Sequence, residues 1–317
     1  MSKIYEALLR AELERAVATG EPVSNTSVGV HDLLSPSEGP HPTQEDLDNF
    51  EPSLANEMRD AGFVASYAPS PDLSVVVARP WAPLLSALPA LEERTAGVEQ
   101  FRSLRSHVIE FREQKPLKTV LVSSGLPGEG KSYVAANLAL AFSKHKGNRV
   151  LLIDGDMRRS SLHKLLGAPR EPGLTEYLSG AAEIVDVMQR PAAPAGGSLP
   201  AGLASITFIG GGADADKAGD LATNNRFSQL ISSVSPAFDW IIVDSSPVNL
   251  VSDAVSLAHS CDGVLLVCRE GVTRFKTAQQ AQTQFKGANV LGFVMNAVHK
   301  LPKADYYGSY DTYKGEA

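Results

Sequence analysis

The chain has 317 residues, long enough for about two domains, and its 43% hydrophobic, 21% charged and 7% aromatic content supports a packed core and excludes wholesale disorder. The formal charge of −7 is uneven: residues 21–62 hold nine acids against the single base Arg59, a net −8, which leaves +1 for the remainder. No global basic field exists, so nucleic acid is not an expected partner.

In chain order, residues 1–18 read as an amphipathic helix, with Ile4, Leu8 and Ala11 on one face beside Tyr5, Leu9 and Leu13. Its charges are too frequent for a secretory signal. Residues 19–90 read as an acidic Pro/Ser-rich linker, mostly disordered, with a short ordered piece around Leu73–Val77. From residue 91 to 300 apolar runs alternate with helical patterns. Strands are expected at 118–123, 149–153, 205–209, 240–243, 263–268 and 290–295. Helices are expected at 95–113, from about 130, in short pieces between 161 and 188, and at 226–234, 252–259 and 274–286. This is an α/β pattern: a parallel sheet of the P-loop NTPase type, covered by helices on both faces. Residues 301–317 read as a mobile tail. No run of 18 apolar residues occurs, and Cys261 and Cys268 lie too far apart along a strand to pair, so a cytoplasmic, reducing setting is expected.

Three segments carry chemistry. Gly125-Leu-Pro127-Gly128-Glu129-Gly130-Lys131-Ser132 fits GxxxxGK[ST] between a strand and a helix. Glycines let backbone N–H groups wrap phosphates at a helix N-terminus, Lys131 reaches the β- and γ-phosphates, and the Ser132 hydroxyl binds Mg²⁺. Asp244 ends the apolar run WIIVD, where an acid beyond a parallel strand faces a metal. Asp154 and Asp156, spaced i, i+2 after LLI and followed by Arg158, suit metal support and a base for a hydroxyl nucleophile.

In this order the motifs resemble those of the bacterial tyrosine kinases of capsule and exopolysaccharide loci. SSGLPGEGKS is similar to that family's Walker A motif, LLIDGDMRR to its second Walker A-type motif, and IIVDSSP to its Walker B. The Walker B of the family continues Asp-Thr-Pro-Pro, whereas this chain has Asp244-Ser-Ser-Pro247. GLTEYLSG (173–180), Ser252-Asp-Ala254 and Gly292-Phe-Val-Met-Asn296 extend the resemblance over about residues 95–313.

The resemblance implies an ATP- and Mg²⁺-dependent protein-tyrosine autokinase that regulates polysaccharide polymerisation and export. Lys131, Asp154, Asp156 and Asp244 would be catalytic, with Ser132, Asp154 and Asp244 at the metal. The phosphate loop, Tyr133, Arg158 and Asn296 would contact the nucleotide, Asn296 reading adenine. Glu99, Arg102 and Arg105 match its ExxRxxR helix and imply a ring-like homo-oligomer. Tyr306, Tyr307, Tyr310 and Tyr313, four of the chain's eight tyrosines, would be autophosphorylated in trans. A separate membrane chain-length or co-polymerase protein as activator, a cognate tyrosine phosphatase, and a place at the inner face of the membrane through that partner also follow. The alternative is a septum-placement or partitioning ATPase switch. That class carries a signature lysine where this chain has Leu126.

Overall fold

The computed structural model describes residues 71–92, 95–193 and 197–299. They form one sheet of eight strands: β1 (Val77–Arg79), β2 (Thr119–Ser124), β3 (Val150–Asp154), β4 (Met188–Pro191), β5 (Ile206–Ile209), β6 (Trp240–Asp244), β7 (Gly263–Arg269) and β8 (Val290–Asn296). The spatial order is β1-β4-β5-β3-β6-β2-β7-β8. All neighbours are parallel except β4 and β5. The α-helices of the described residues are α1 (Ala96–Gln114), α2 (Lys131–Ser143), α3 (Leu162–Leu166), α4 (Leu174–Ser179), α5 (Ile184–Val187), α6 (Ala218–Ala222), α7 (Arg226–Val234), α8 (Asp253–Ala258) and α9 (Phe275–Gln284).

Near-continuous aliphatic runs make the central strands, and every residue of β2, β3, β5 and β6 is buried. Alternate side chains serve opposite faces. In β6, Ile241 and Val243 join one core, while Trp240 and Ile242 join the other. Helix α2 is buried from Val134 through Ser143 because α1 and the segment before it cover its outer side. Phe142 of α2 stacks on Trp240 with ring centres 4.0 Å apart, and Arg112 of α1 lies 4.7 Å from that Trp240 ring. Thr95 caps α1 by accepting the Val98 N–H at 3.4 Å.

The structure departs from the expected linker 19–90 within residues 71–90. The turn Leu73–Val75 and β1 occupy the expected ordered piece, but the chain then continues as a strap over the sheet. The Ala82 N–H donates to Gly167 O at 3.1 Å and the Leu84 N–H to Leu165 O at 2.9 Å. Leu88 is fully buried. Buried Asn137 of α2 accepts the Ala90 N–H and donates to the carbonyls of Ala87 and Tyr133. Prolines and the lack of any period hide this segment from pattern reading, because its stability comes from contacts remote in sequence. Strand β4 and helix α6 were likewise not expected; each is under six residues, too short to establish a period.

Candidate active site

The chemistry-bearing segments leave three adjacent strands at their carboxyl ends. Strand β6 lies between β3 and β2, with Asp154 and Asp244 directly opposite each other in register and Val122 opposite Asp244 on the other side. The Gly155 N–H donates to Asp244 O at 2.8 Å, which ties the second acidic loop to the end of β6. Parallel strand ends of this kind form the ligand crevice of open α/β sheets.

The loop from Gly125 to Ser132 joins β2 to α2. Pro127 and Gly128 are exposed at its crest, and Gly125 is buried at its base. Gly128 and Gly130 have φ of 81° and 93°, left-handed values that side chains resist, and a Cβ at Gly130 would collide with the amide of Asn296. The loop thus turns back on itself before α2 opens at Lys131, a helix N-terminus of the kind that suits phosphate.

Lys131 pairs with Asp156, Nζ to Oδ2, at 2.8 Å in a nearly buried contact. Burial by itself pulls the Lys131 ammonium down, but the carboxylates of Asp244, Asp156 and Asp154 outweigh it and hold it above its ordinary value. Asp156 Oδ1 also accepts the Arg159 N–H at 3.0 Å.

Asp154 Oδ2 accepts three bonds, from the Ser160 hydroxyl at 2.7 Å and from the Ser161 and Leu162 N–H groups at 3.0 Å. Its Oδ1 and both oxygens of Asp244 are buried without a hydrogen-bond partner. Burial pushes Asp154 up to about 6, against the opposing bonds, and pushes Asp244 up to about 7, against the attraction of Lys131. Orphaned carboxylate oxygens at this depth are costly unless protonated or given a cation. They fit a hard divalent cation. Among the described residues no group of three or more His, Cys, Asp and Glu forms a cage for one, so the remaining ligands would be the Ser132 hydroxyl, phosphate oxygens and water. The Ser132 hydroxyl accepts from Ser161 at 2.8 Å, which links the two loops.

The other expected site residues have partners within the chain. The Glu129 side chain is buried, with Oε2 accepting the Leu126 N–H at 2.8 Å and Oε1 accepting the Thr273 hydroxyl, so only its backbone remains in the cradle. Asn296 spends its Nδ2 on Glu129 O at 2.9 Å. Arg158 makes a two-pronged ion pair with buried Asp253, at 2.7 and 3.2 Å. Tyr133 packs its ring edge-on to Phe101 of α1, 5.7 Å between centres. On α1, Glu99 pairs with Arg102 on the exposed surface. Arg105 folds back to donate to Ala141 O at 2.9 Å, a contact inside its own chain. The reading of the sequence missed Asp253, Thr273 and Arg269 as partners of these motifs, which lie 95, 144 and 141 positions from Arg158, Glu129 and Gly128. No local signal marks such pairs. Tyr306, Tyr307, Tyr310, Tyr313 and the expected N-terminal helix 1–18 lie outside the described residues.

The family described as CobQ/CobB/MinD/ParA nucleotide binding domain matches residues 120–308. The tyrosine-protein kinase Wzc of Salmonella typhimurium is 32% identical over 224 residues, 69% of this chain but only 29% of Wzc. The tyrosine-protein kinase CpsD of Streptococcus agalactiae is 32% identical over 218 residues, 68% of this chain and 89% of CpsD. Among solved structures, the kinase domain of the Escherichia coli tyrosine kinase ETK superposes with a TM-score of 0.59 at 26% identity, over 73% of this chain and 92% of that domain. The chain thus spans under a third of Wzc and nearly all of CpsD.

Proposed function

The chain belongs to the bacterial tyrosine-protein kinase family, on the CobQ/CobB/MinD/ParA nucleotide-binding fold, and we propose that it is an ATP-dependent protein-tyrosine autokinase. The observation that carries this reading is the convergence of Lys131, Asp154, Asp156 and Asp244 on three adjacent strand ends, with orphaned carboxylate oxygens beside a phosphate loop.

In this reading the loop N–H groups from Gly128 to Ser132 receive the phosphates. Lys131 leaves Asp156 to neutralise the transferred group. Ser132, Asp154 and Asp244 would hold Mg²⁺, which adds positive charge at the phosphates. Asp156, freed by Lys131, accepts the proton of an incoming tyrosine hydroxyl; at a tyrosine pKa of about 10 such an acceptor is needed. Arg158 acts from its Asp253 pair to hold the acidic loop, and Asn296 braces the loop beside the nucleotide.

The substrates are the tyrosines at 306, 307, 310 and 313 of a neighbouring copy in a ring-like oligomer. Glu99 and Arg102 offer the exposed contact, and Arg105 joins them after leaving Ala141 O. Added phosphates, about −1.5 to −2 charges each, would repel neighbouring tails and favour dissociation. Mg²⁺ dependence, a membrane chain-length activator, a cognate phosphatase, control of polysaccharide polymerisation and export, and residence at the inner membrane face through that activator belong to the same proposal. None of the described helices is long and apolar enough to cross a membrane. The proposed division is a helix at 1–18, an acidic linker, a kinase domain that includes the strap from 71, and a tail at 301–317.

The test mixes Lys131→Met chains, which keep their tail, with wild-type sites on chains truncated after residue 300. With ATP and Mg²⁺, phosphotyrosine should appear on the Lys131→Met chain. Its absence, with the full wild-type chain active alone, would refute transfer in trans.

A further inference from the structure

Glu129 is 1% exposed, an unusual place for a carboxylate beside a crest as exposed as Pro127–Gly128. Both its neighbours are donors: the Leu126 N–H at 2.8 Å and the Thr273 hydroxyl. The Thr273 oxygen itself accepts the Arg269 N–H at 2.8 Å, which aims its proton at Glu129. The carboxylate accepts from both at once, one oxygen for each donor. From the same strand ends, the Arg269 guanidinium donates to Gly128 O at 3.0 Å and Asn296 Nδ2 to Glu129 O at 2.9 Å. The loop is therefore fastened at 128 and 129 to the ends of β7 and β8, which are paired at Arg269 and Asn296, and Leu126 is tied to it through the Glu129 carboxylate.

We propose that Glu129 is a positioning residue whose buried carboxylate, through Thr273, latches the phosphate loop to the end of β7 and thereby sets nucleotide affinity. This rests on the reading of the loop as the nucleotide site and identifies what keeps it in shape. With glycines at left-handed φ, the loop has little stiffness of its own, and unlatched it would sample conformations in which the N–H groups diverge. Neither Glu129 nor Thr273 needs to touch the ligand for this effect.

The experiment titrates the full chain with a fluorescent N-methylanthraniloyl-ADP in Mg²⁺ and measures ATP KM, kcat and thermal midpoint. Thr273→Val keeps the volume and removes the hydroxyl; Thr273→Ser keeps the hydroxyl. The latch predicts affinity weakened about tenfold in Thr273→Val, restored to within about twofold in Thr273→Ser, with KM rising more than kcat falls and the thermal midpoint lowered by a few degrees in Thr273→Val but not in Thr273→Ser. Affinity in Thr273→Val within about twofold of wild type, or an equal loss in Thr273→Ser, overturns it. A wild-type chain that binds no nucleotide overturns the site reading as well, whereas binding without the Thr273→Val effect overturns the latch alone. Should Thr273→Val not fold, the surface variant Arg269→Met, which frees Gly128 O, must weaken affinity in the same direction; unchanged affinity there overturns the latch.

Discussion

The phosphate-loop corner and the strap at 71–92 stand in contrast. The corner is dense in polar groups and holds its acids at a cost: Asp154 and Asp244 are buried, with Asp154 Oδ1 and both Asp244 oxygens lacking a hydrogen-bond partner. The strap carries no chemistry, yet it closes one face of the core through Leu88, Ala90 and the Ala90 N–H and Ala87 carbonyl that Asn137 satisfies. Side chains in the corner are chosen for what they do to a ligand, and in the strap for what they exclude from water. Substitutions in the two regions should therefore move different observables.

The largest effect is expected at Lys131. Lys131→Met removes charge from the transferring group and should lower phosphorylation by 10²–10³, about 3–4 kcal/mol of barrier, while the fold persists. Circular dichroism and a phosphorylation time course check both halves. Loss of fold in that variant would blur the contrast. Next comes the strap: Leu88→Ala opens a cavity in a fully buried position and should cost about 2–5 kcal/mol of stability with the rate per folded molecule unchanged. Denaturant unfolding and rate measurement together decide; a fall in rate at full folding would mean the strap reaches the chemistry.

The smallest effect concerns pH. Asp154 and Asp244 titrate in the fold near 6 and 7, above the ordinary 3.8, because burial disfavours their charge. Between 3.8 and these values the native chain binds more protons than the unfolded one, so their contribution to stability falls as pH rises and is fully lost above about 7. Asp244→Asn removes its share. In chelator, its thermal midpoint should exceed that of wild type by a margin that grows from pH 4 to pH 7 and then levels. A margin independent of pH would show that Asp244 is already charged in the acid range.

The corner was legible in the sequence because chemistry restricts residue types. Only glycines tolerate the loop's φ at 128 and 130, and only an acid at a strand end gives a carboxylate at 154 or 244. The six strands from 119 to 296 apart from β4 were legible for a related reason: burial leaves long aliphatic runs in β2, β3, β5, β6 and β7, and the half-buried edge strand β8 keeps such a run too. The strap was not, because Trp81, Leu84 and Leu88 find their partners at 189, 165 and in the core without any spacing that foretells them. The inward turn of Glu129 was hidden too: its partner Thr273 is an ordinary turn residue in the sequence. The bond from Arg105 to Ala141 O joins positions 36 apart, and no local signal marks it.

The central claim is that the corner transfers phosphate from ATP to the chain's own terminal tyrosines. Peptide mass spectrometry of the full-length chain after incubation with ATP and Mg²⁺ tests it most directly. Phosphate is expected on Tyr306, Tyr307, Tyr310 and Tyr313 in wild type and about 10²–10³-fold less of it in Lys131→Met. Phosphate confined to Tyr67, Tyr133 or Tyr177, or equal phosphate in Lys131→Met, would contradict it.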